Sequence, residues 1–289
     1  DRTAGEHGVC RSLRLPIVAS ACDHHGEEPV ISGSRGSGTV FFANCNLRCV
    51  YCQNHQISQA SDSFTGREQT AEALAGEMLR LQNDLRCHNV NLVSPTHFVA
   101  QIVEALCLAV ECGFRLPLVY NTNAYDSPET LQLLDGVIDV YLPDIKYSSE
   151  RVAARLSGAS DYVLASQAAI AEMHRQVGTD IVLDAEGTIR RGLIVRHLVL
   201  PGGLAGSRES LTFLASRLSP HVTLSLMAQY YPSHRAVGMP LLSRRLTAAE
   251  YVDVIGIAQQ LGFDHILVQR PGAAAFYRPD FDRTDHPFE

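Results

Sequence analysis

The chain has 289 residues, 46% of them apolar and 19% charged, enough for a sizeable buried core and too apolar for a disordered chain. Acidic residues outnumber basic ones 31 to 24, and the resulting formal charge of −7 argues against non-specific binding to nucleic acid or an anionic membrane. The most apolar stretch, 98–114, is broken by Gln101, Glu104 and Glu111 and does not read as a membrane span.

The eight cysteines, at positions 10, 22, 45, 49, 52, 87, 107 and 112, are too few and too scattered for a secreted disulfide scaffold. A cytoplasmic location is expected. No signal peptide is visible, and because the sequence starts at Asp1 rather than Met, an upstream piece is expected.

Residues 1–37 read as an irregular N-terminal extension with turns near Gly33, Gly36 and Gly38. From residue 38 to 289 the pattern changes to short apolar runs alternating with amphipathic segments. Strands are expected at 39–43, 90–94, 116–122, 138–144, 194–201, 222–229 and 265–269. Their Val, Ile and Leu content with little polar alternation suits strands buried on both faces.

Helices are expected at 67–83, 95–112, 127–134, 161–177, 207–218 and 248–261. Pro95 and Ser127 suit helix starts, and Gly113 and Gly262 suit helix ends. Residues 180–191 read as an inserted hairpin. Strands separated by helices imply right-handed βαβ units, here about six. The predicted fold is therefore α/β, an open partial (βα)6 barrel in which chemistry collects at the C-terminal strand ends. Asn44, Thr96, His97, Asn121, Asn123, Asp144, Lys146, Gln229 and His234 all fall there.

After the first of these strands comes Cys45-Asn46-Leu47-Arg48-Cys49-Val50-Tyr51-Cys52-Gln53-Asn54. Three thiolates spaced C-x3-C-x2-C suit three irons of a [4Fe-4S] cluster, leaving the fourth iron open to a small molecule. A zinc site completed by His55 is the alternative. Three unliganded thiols are a poor fit to so polar a loop. Lys146 is the sole lysine, against 23 arginines, and it follows a strand directly. A compact ammonium there suits a ribose hydroxyl or carboxylate better than a flat guanidinium would.

These residues resemble the radical S-adenosylmethionine (SAM) superfamily. Within it the chain is similar to the pyruvate formate-lyase activating enzymes, through 41–54, Asn121-Thr122-Asn123-Ala124, Asp144-Ile145-Lys146, Val195-Arg196-His197 and Pro232-Ser233-His234. The resemblance implies that Cys45, Cys49 and Cys52 hold the cluster. It also implies that Tyr51, Gln53, Thr96, Asn121, Asp144, Lys146, Arg196 and His234 surround SAM. Reductive cleavage would then give a 5′-deoxyadenosyl radical that abstracts hydrogen.

Two departures stand out. Where the activating enzymes carry a Gly-Gly-Glu turn, this chain has Ser94-Pro95-Thr96-His97, so Thr96 or His97 is expected to substitute. Where they carry Asp, it has Asn121, which puts a bound cation there in doubt. The expected partners are a protein or peptide substrate, with a glycyl-radical enzyme foremost, and a low-potential donor such as flavodoxin or ferredoxin. Direct modification of a peptide or small molecule, by epimerisation or cross-linking, is the alternative. A non-catalytic iron–sulfur or zinc protein is the distant one. Residues 1–38 are expected to act as a lid whose loss spares SAM cleavage, or to carry the last ligand, Cys10, of a truncated auxiliary metal site.

Overall fold

The computed structural model describes residues 2–59, 66–270, 278–283 and 286–288. In chain order its principal elements are β1 (Ile17–His24), α1 (Pro29–Ser32), β2 (Ser37–Phe42), α2 (His55–Ser58), β3 (Arg67–Glu68), α3 (Ala71–Asn83), β4 (Val90–Val93) and α4 (Val99–Glu111). There follow β5 (Leu118–Thr122), α5 (Pro128–Gln132), β6 (Val140–Pro143), α6 (Glu150–Ser157), α7 (Tyr162–Val177), β7 (Val182–Leu183) and β8 (Ile189–Leu198). The series ends with α8 (Ser207–Phe213), β9 (Thr223–Met227), α9 (Ala248–Gln260) and β10 (Ile266–Val268).

One sheet runs in the order β10-β9-β8-β6-β5-β4-β2-β1-β3, with β7 beside β8. From β2 to β10 every neighbouring pair is parallel, as successive βαβ units require. All seven expected parallel strands form, and β7 with β8 makes the expected hairpin. α6 forms between the helices expected at 127–134 and 161–177, where none was expected. The helix expected from Pro95 opens with a single 3-10 turn, Thr96–Phe98, before α4.

Alternation along the strands sorts side chains between two cores. Leu92, Tyr120, Tyr141, Leu193 and Val195 face the outer helices and pack with Phe98, Ile102 and Leu211. Val119, Val140, Leu142 and Ile194 face inward. His197 turns outward, where its ring meets Ile145 O at 2.7 Å and Ser207 Oγ at 2.9 Å, so Arg196 turns in.

The N-terminal region departs from the expected irregular extension. β1 pairs antiparallel with β2 and, through Ile17 and Val18, with β3. Because β1 runs opposite to β2, it delivers the chain to the N-terminal end of the barrel. There α1 buries Ile31 among the inward-facing Val119, Val140, Leu142 and Ile194. The segment is a plug at the bottom of the barrel. A lid would sit at the other end.

The turn out of the plug needs glycine. Gly33 has φ of +50°, and a Cβ there would lie 2.5 Å from Thr188 and 2.7 Å from His88. His88 Nε2 accepts from the amides of Ser34 and Arg35, at 3.2 and 3.1 Å, which fixes the return to β2.

Candidate active site

A cavity of about 620 Å³ occupies the barrel between the cysteine loop and the plug. Four non-glycine residues near its strand ends, Asn44, Ser94, Ala124 and His234, have positive φ. Such backbone persists where the surroundings over-determine it, as at functional sites.

Cys45, Cys49 and Cys52 line one end of the cavity. Each thiol has a hydrogen-bonding neighbour already in place. Leu47 N and Asn123 Nδ2 donate to Cys45 Sγ, both at 3.4 Å, and Ser157 Oγ donates to Cys49 Sγ at 3.0 Å. Ser58 Oγ lies 3.0 Å from Cys52 Sγ.

Burial first, and then mutual repulsion with Cys49, pushes Cys45 up to about 11 and Cys52 up to about 12. Burial also raises Cys49, although Lys146 pulls it the other way. Three half-buried thiols ringed by donors, whose thiolates would repel one another, ionise together readily only when metal replaces the protons. That donor set fits the three protein-held irons of a [4Fe-4S] cluster, whose sulfur ligands are normally hydrogen-bonded by their surroundings. Among the described residues no three His, Cys, Asp or Glu side chains converge on a single metal ion. His55 Nδ1 lies instead 3.2 Å from Cys52 O, away from the role of a fourth zinc ligand.

Next to the thiols lies a half-buried ionic network. Lys146 Nζ donates to Asp144 Oδ2 at 2.6 Å, and Arg196 Nε donates to Asp144 Oδ1 at 2.8 Å. Arg196 Nη1 donates to Glu27 Oε2 at 3.2 Å, and its Nη2 donates to Asn121 Oδ1. Glu27 Oε1 accepts from Asn91 and Asn121, at 3.1 and 3.2 Å. Burial opposes ionisation of Asp144, but Arg196 and then Lys146 outweigh it and hold the carboxyl below its usual range. Burial likewise opposes the ammonium of Lys146. Asp144 and Cys49 outweigh it, so the amine stays charged. Deeper still, burial pushes the carboxyls of Glu27 and Glu28 above their usual range against the pull of Arg196.

The tyrosines pin this arrangement. Tyr162 Oη sits 2.9 Å from Asn123 O and 2.8 Å from Asp144 O, and accepts from Lys146 N at 3.0 Å, tying two strand ends together. Tyr51 Oη meets Tyr147 Oη at 2.5 Å, and Tyr147 Oη meets Ser157 Oγ at 2.6 Å, a chain that ends on Cys49.

Of the residues expected around SAM, Tyr51, Gln53, Asn121, Asp144, Lys146 and Arg196 line the cavity. Gln53 Nε2 donates to Gln229 O at 3.0 Å, on the β9 side. Thr96 does not line it: its hydroxyl lies 3.2 Å from Thr122 Oγ1. His97 turns to Ala43 O at 3.0 Å, and Ser94 is the residue of that turn that reaches the cavity. His234 stacks on His55 with ring centroids 5.0 Å apart, outside the lining.

Sequence reasoning singled out neither Ser157 nor Tyr162. Glu27 and Glu28, in a Gly-flanked run ahead of β2, read from sequence equally as substrate contacts or as solvated loop residues. The signal available for Tyr162 was its place at the start of the helix expected at 161–177, downstream of Lys146. Glu28 had none.

The radical SAM superfamily model matches residues 39–184, half of the chain. An uncharacterized protein of Methanocaldococcus jannaschii is 31% identical over 266 residues, covering 90% of this chain and 72% of its own. Among solved structures, HydG, a maturase of the [FeFe]-hydrogenase, aligns with a TM-score of 0.55 at 11% identity, covering 82% of this chain. SuiB of Streptococcus suis, bound to its precursor peptide SuiA, aligns with a TM-score of 0.52 at 12% identity over 81%. The present chain spans 53% of the first and 48% of the second, and at such identities the likeness is one of fold. The cysteine loop and the strands β4, β5 and β6 lie within the matched residues, and the chain belongs to the radical SAM superfamily, whose cofactors are a [4Fe-4S] cluster and SAM.

Proposed function

We propose that the protein reductively cleaves SAM and uses the resulting 5′-deoxyadenosyl radical to take a hydrogen atom from a peptide or small molecule held inside the barrel. The observation that carries this reading is the placement of three half-buried thiols and the chain's only lysine on one cavity, with further polar space below them. A reduced cluster with SAM on its open iron supplies the hydrogen-abstracting radical. Everything else falls to the protein's own side chains.

Cys45, Cys49 and Cys52 would hold the cluster, and the Asn123, Ser58 and Ser157 donors would steady their thiolates. Lys146, fixed by Asp144, presents an ammonium suited to the carboxylate or ribose of SAM. Gln53, Gln229 and Gln269 form a hydrogen-bonded ladder along the β9–β10 side, suited to an adenine edge.

Activation of a glycyl-radical enzyme is the second reading. It is favoured by the intact activating-enzyme-like run from Cys45 to Asn54 around the thiols. The first reading is favoured by the depth of the chamber, which reaches Glu27 and Glu28, a space that a backbone glycine would not need. SuiB, with its precursor peptide, is a precedent on a similar fold. A low-potential flavodoxin or ferredoxin as electron donor, and a cytoplasmic setting, complete the proposal. Among the described residues no helix is long and apolar enough to cross a membrane.

The test incubates the reduced, cluster-loaded protein and SAM with peptides or glycyl-radical enzymes encoded beside it. A mass change in a peptide or small molecule supports the first reading, and a glycyl radical signal in the partner supports the second. Substrate-dependent turnover of neither kind would overturn both.

A further inference from the structure

The floor of the cavity, on the plug side, holds more hydrogen-bond acceptors than donors. Glu28 is only 9% exposed and lines the cavity. Its carboxylate meets Ser225 on β9 and its own backbone amide, yet Oε2 is buried with no hydrogen-bond partner. Asn91, fully buried beneath, donates through Nδ2 to Glu27 and has its Oδ1 unpartnered as well. Buried polar atoms are almost always satisfied, so an unmatched carboxylate oxygen on the cavity floor, with a second unmatched acceptor behind it, needs an explanation.

The charges point the same way. Three carboxyl side chains, buried Glu28 and half-buried Glu27 and Asp144, line the cavity with two half-buried cations, Lys146 and Arg196. Both cations are placed on other partners. Arg196 donates to Asp144, Glu27 and Asn121, Lys146 donates to Asp144, and among the described residues neither makes an ion pair with Glu28. Arg270 lines the cavity only from an exposed position. Glu28 is the carboxyl left without a cation of its own.

We infer that Glu28 anchors a cationic nitrogen of the substrate, a primary ammonium, at the bottom of the barrel. The ammonium brings three donors and one positive charge, which are what the floor lacks. The anchor would hold the far end of the substrate while the rest extends toward the cysteine loop. This rests on the proposed reading that a substrate occupies the chamber. It adds the chemical class of that substrate and a residue that selects it. A buried water donating to Glu28 is the competing occupant, and it predicts no discrimination by charge.

The experiment uses the cluster-loaded protein with SAM and three probes of nearly equal shape: n-butylammonium, n-butanol and butyrate. Calorimetric titration should show n-butylammonium binding at least about tenfold more tightly than either of the others, and Glu28→Gln should abolish that preference. Equal binding of the three, no detectable binding of n-butylammonium, or a preference kept in Glu28→Gln would each overturn the inference. The last result would mark a general attraction to an acidic protein. If Glu28→Gln does not fold, the wild-type preference decides between ammonium and water by itself. SAM cleavage by the wild-type sample is measured alongside. If cleavage occurs without charge discrimination, only the anchor fails, whereas an absence of cleavage removes the underlying reading.

Discussion

The three thiols at one end of the cavity come from eight consecutive residues, Cys45 to Cys52, and most of their hydrogen-bond donors lie within the loop or at the ends of neighbouring elements. The charged groups below them come from distant parts of the chain: Glu27 and Glu28 ahead of β2, Asp144 and Lys146 after β6, and Arg196 on β8. A ligand loop can be emptied with little consequence for the barrel, because its thiols are neutral and small when unliganded. A buried ionic hub cannot, because each charge removed leaves another unpaired. One end is therefore chemistry carried by a loop, and the other is chemistry built into the fold.

The sharpest way to break this contrast is Arg196→Met. It leaves Asp144 with Lys146 alone and Glu27 with no cation, and should cost about 3–5 kcal/mol of unfolding free energy by urea titration. A loss below about 1 kcal/mol would mean that the hub is not structural.

Lys146→Met should cost less, about 1.5–3 kcal/mol for one charged hydrogen bond, since Arg196 still holds Asp144. It should weaken SAM binding by about tenfold or more, roughly 1.4 kcal/mol. Unchanged affinity would remove Lys146 from the cofactor site.

Glu28→Gln sharpens the contrast from the opposite direction, because its effect should be stabilising. A carboxyl raised by burial favours the folded state only while protonated, and that contribution is lost as pH rises through the folded value. The variant's thermal midpoint should exceed wild type at pH 8 and by less at pH 5, with roughly 2–4 °C for each kcal/mol regained. Asp144 has the opposite sign. Its depressed value contributes stability above the unfolded carboxyl value, and this fades as pH falls through the folded one. A Glu28→Gln variant less stable than wild type at pH 8 would show that the carboxylate is satisfied in the free protein.

The smallest folding effect belongs to the triple replacement of Cys45, Cys49 and Cys52 by Ala. Compared as cluster-free proteins, wild type and variant should differ by less than about 2 kcal/mol, while the variant takes up no iron on reconstitution. Retention of a full cluster spectrum would place the cluster elsewhere.

What could be read from sequence follows the same division. The cysteine loop is legible because ligand spacing is a local property, and the parallel strands because burial on both faces leaves continuous apolar runs such as Val140–Pro143. Lys146 stood out by its rarity. Arg196 against His197 was decidable only as an alternation, and the sheet resolves it by turning Arg196 inward.

The plug was not legible. β1 lies between β2 and the two-residue β3 and lacks strong periodicity, α1 is one turn long, and a pair of glutamates near a glycine reads like any solvated loop. Only the antiparallel return of β1 along β2 carries them inside. The same topology makes an independent lid from residues 1–38 untenable, because its removal would unseat Ile31 and Glu27 from the barrel interior. Thr96, His97 and His234 were placed by analogy at strand ends. They miss the cavity because a strand end fixes position but not direction.

The most direct test of the central assignment is the fate of SAM itself. Anaerobically reconstituted protein, reduced with dithionite and given SAM, should form 5′-deoxyadenosine and methionine even without substrate, and the triple alanine variant should form none. Intact SAM in a fully loaded, reduced sample would contradict the account, as would equal cleavage by the variant.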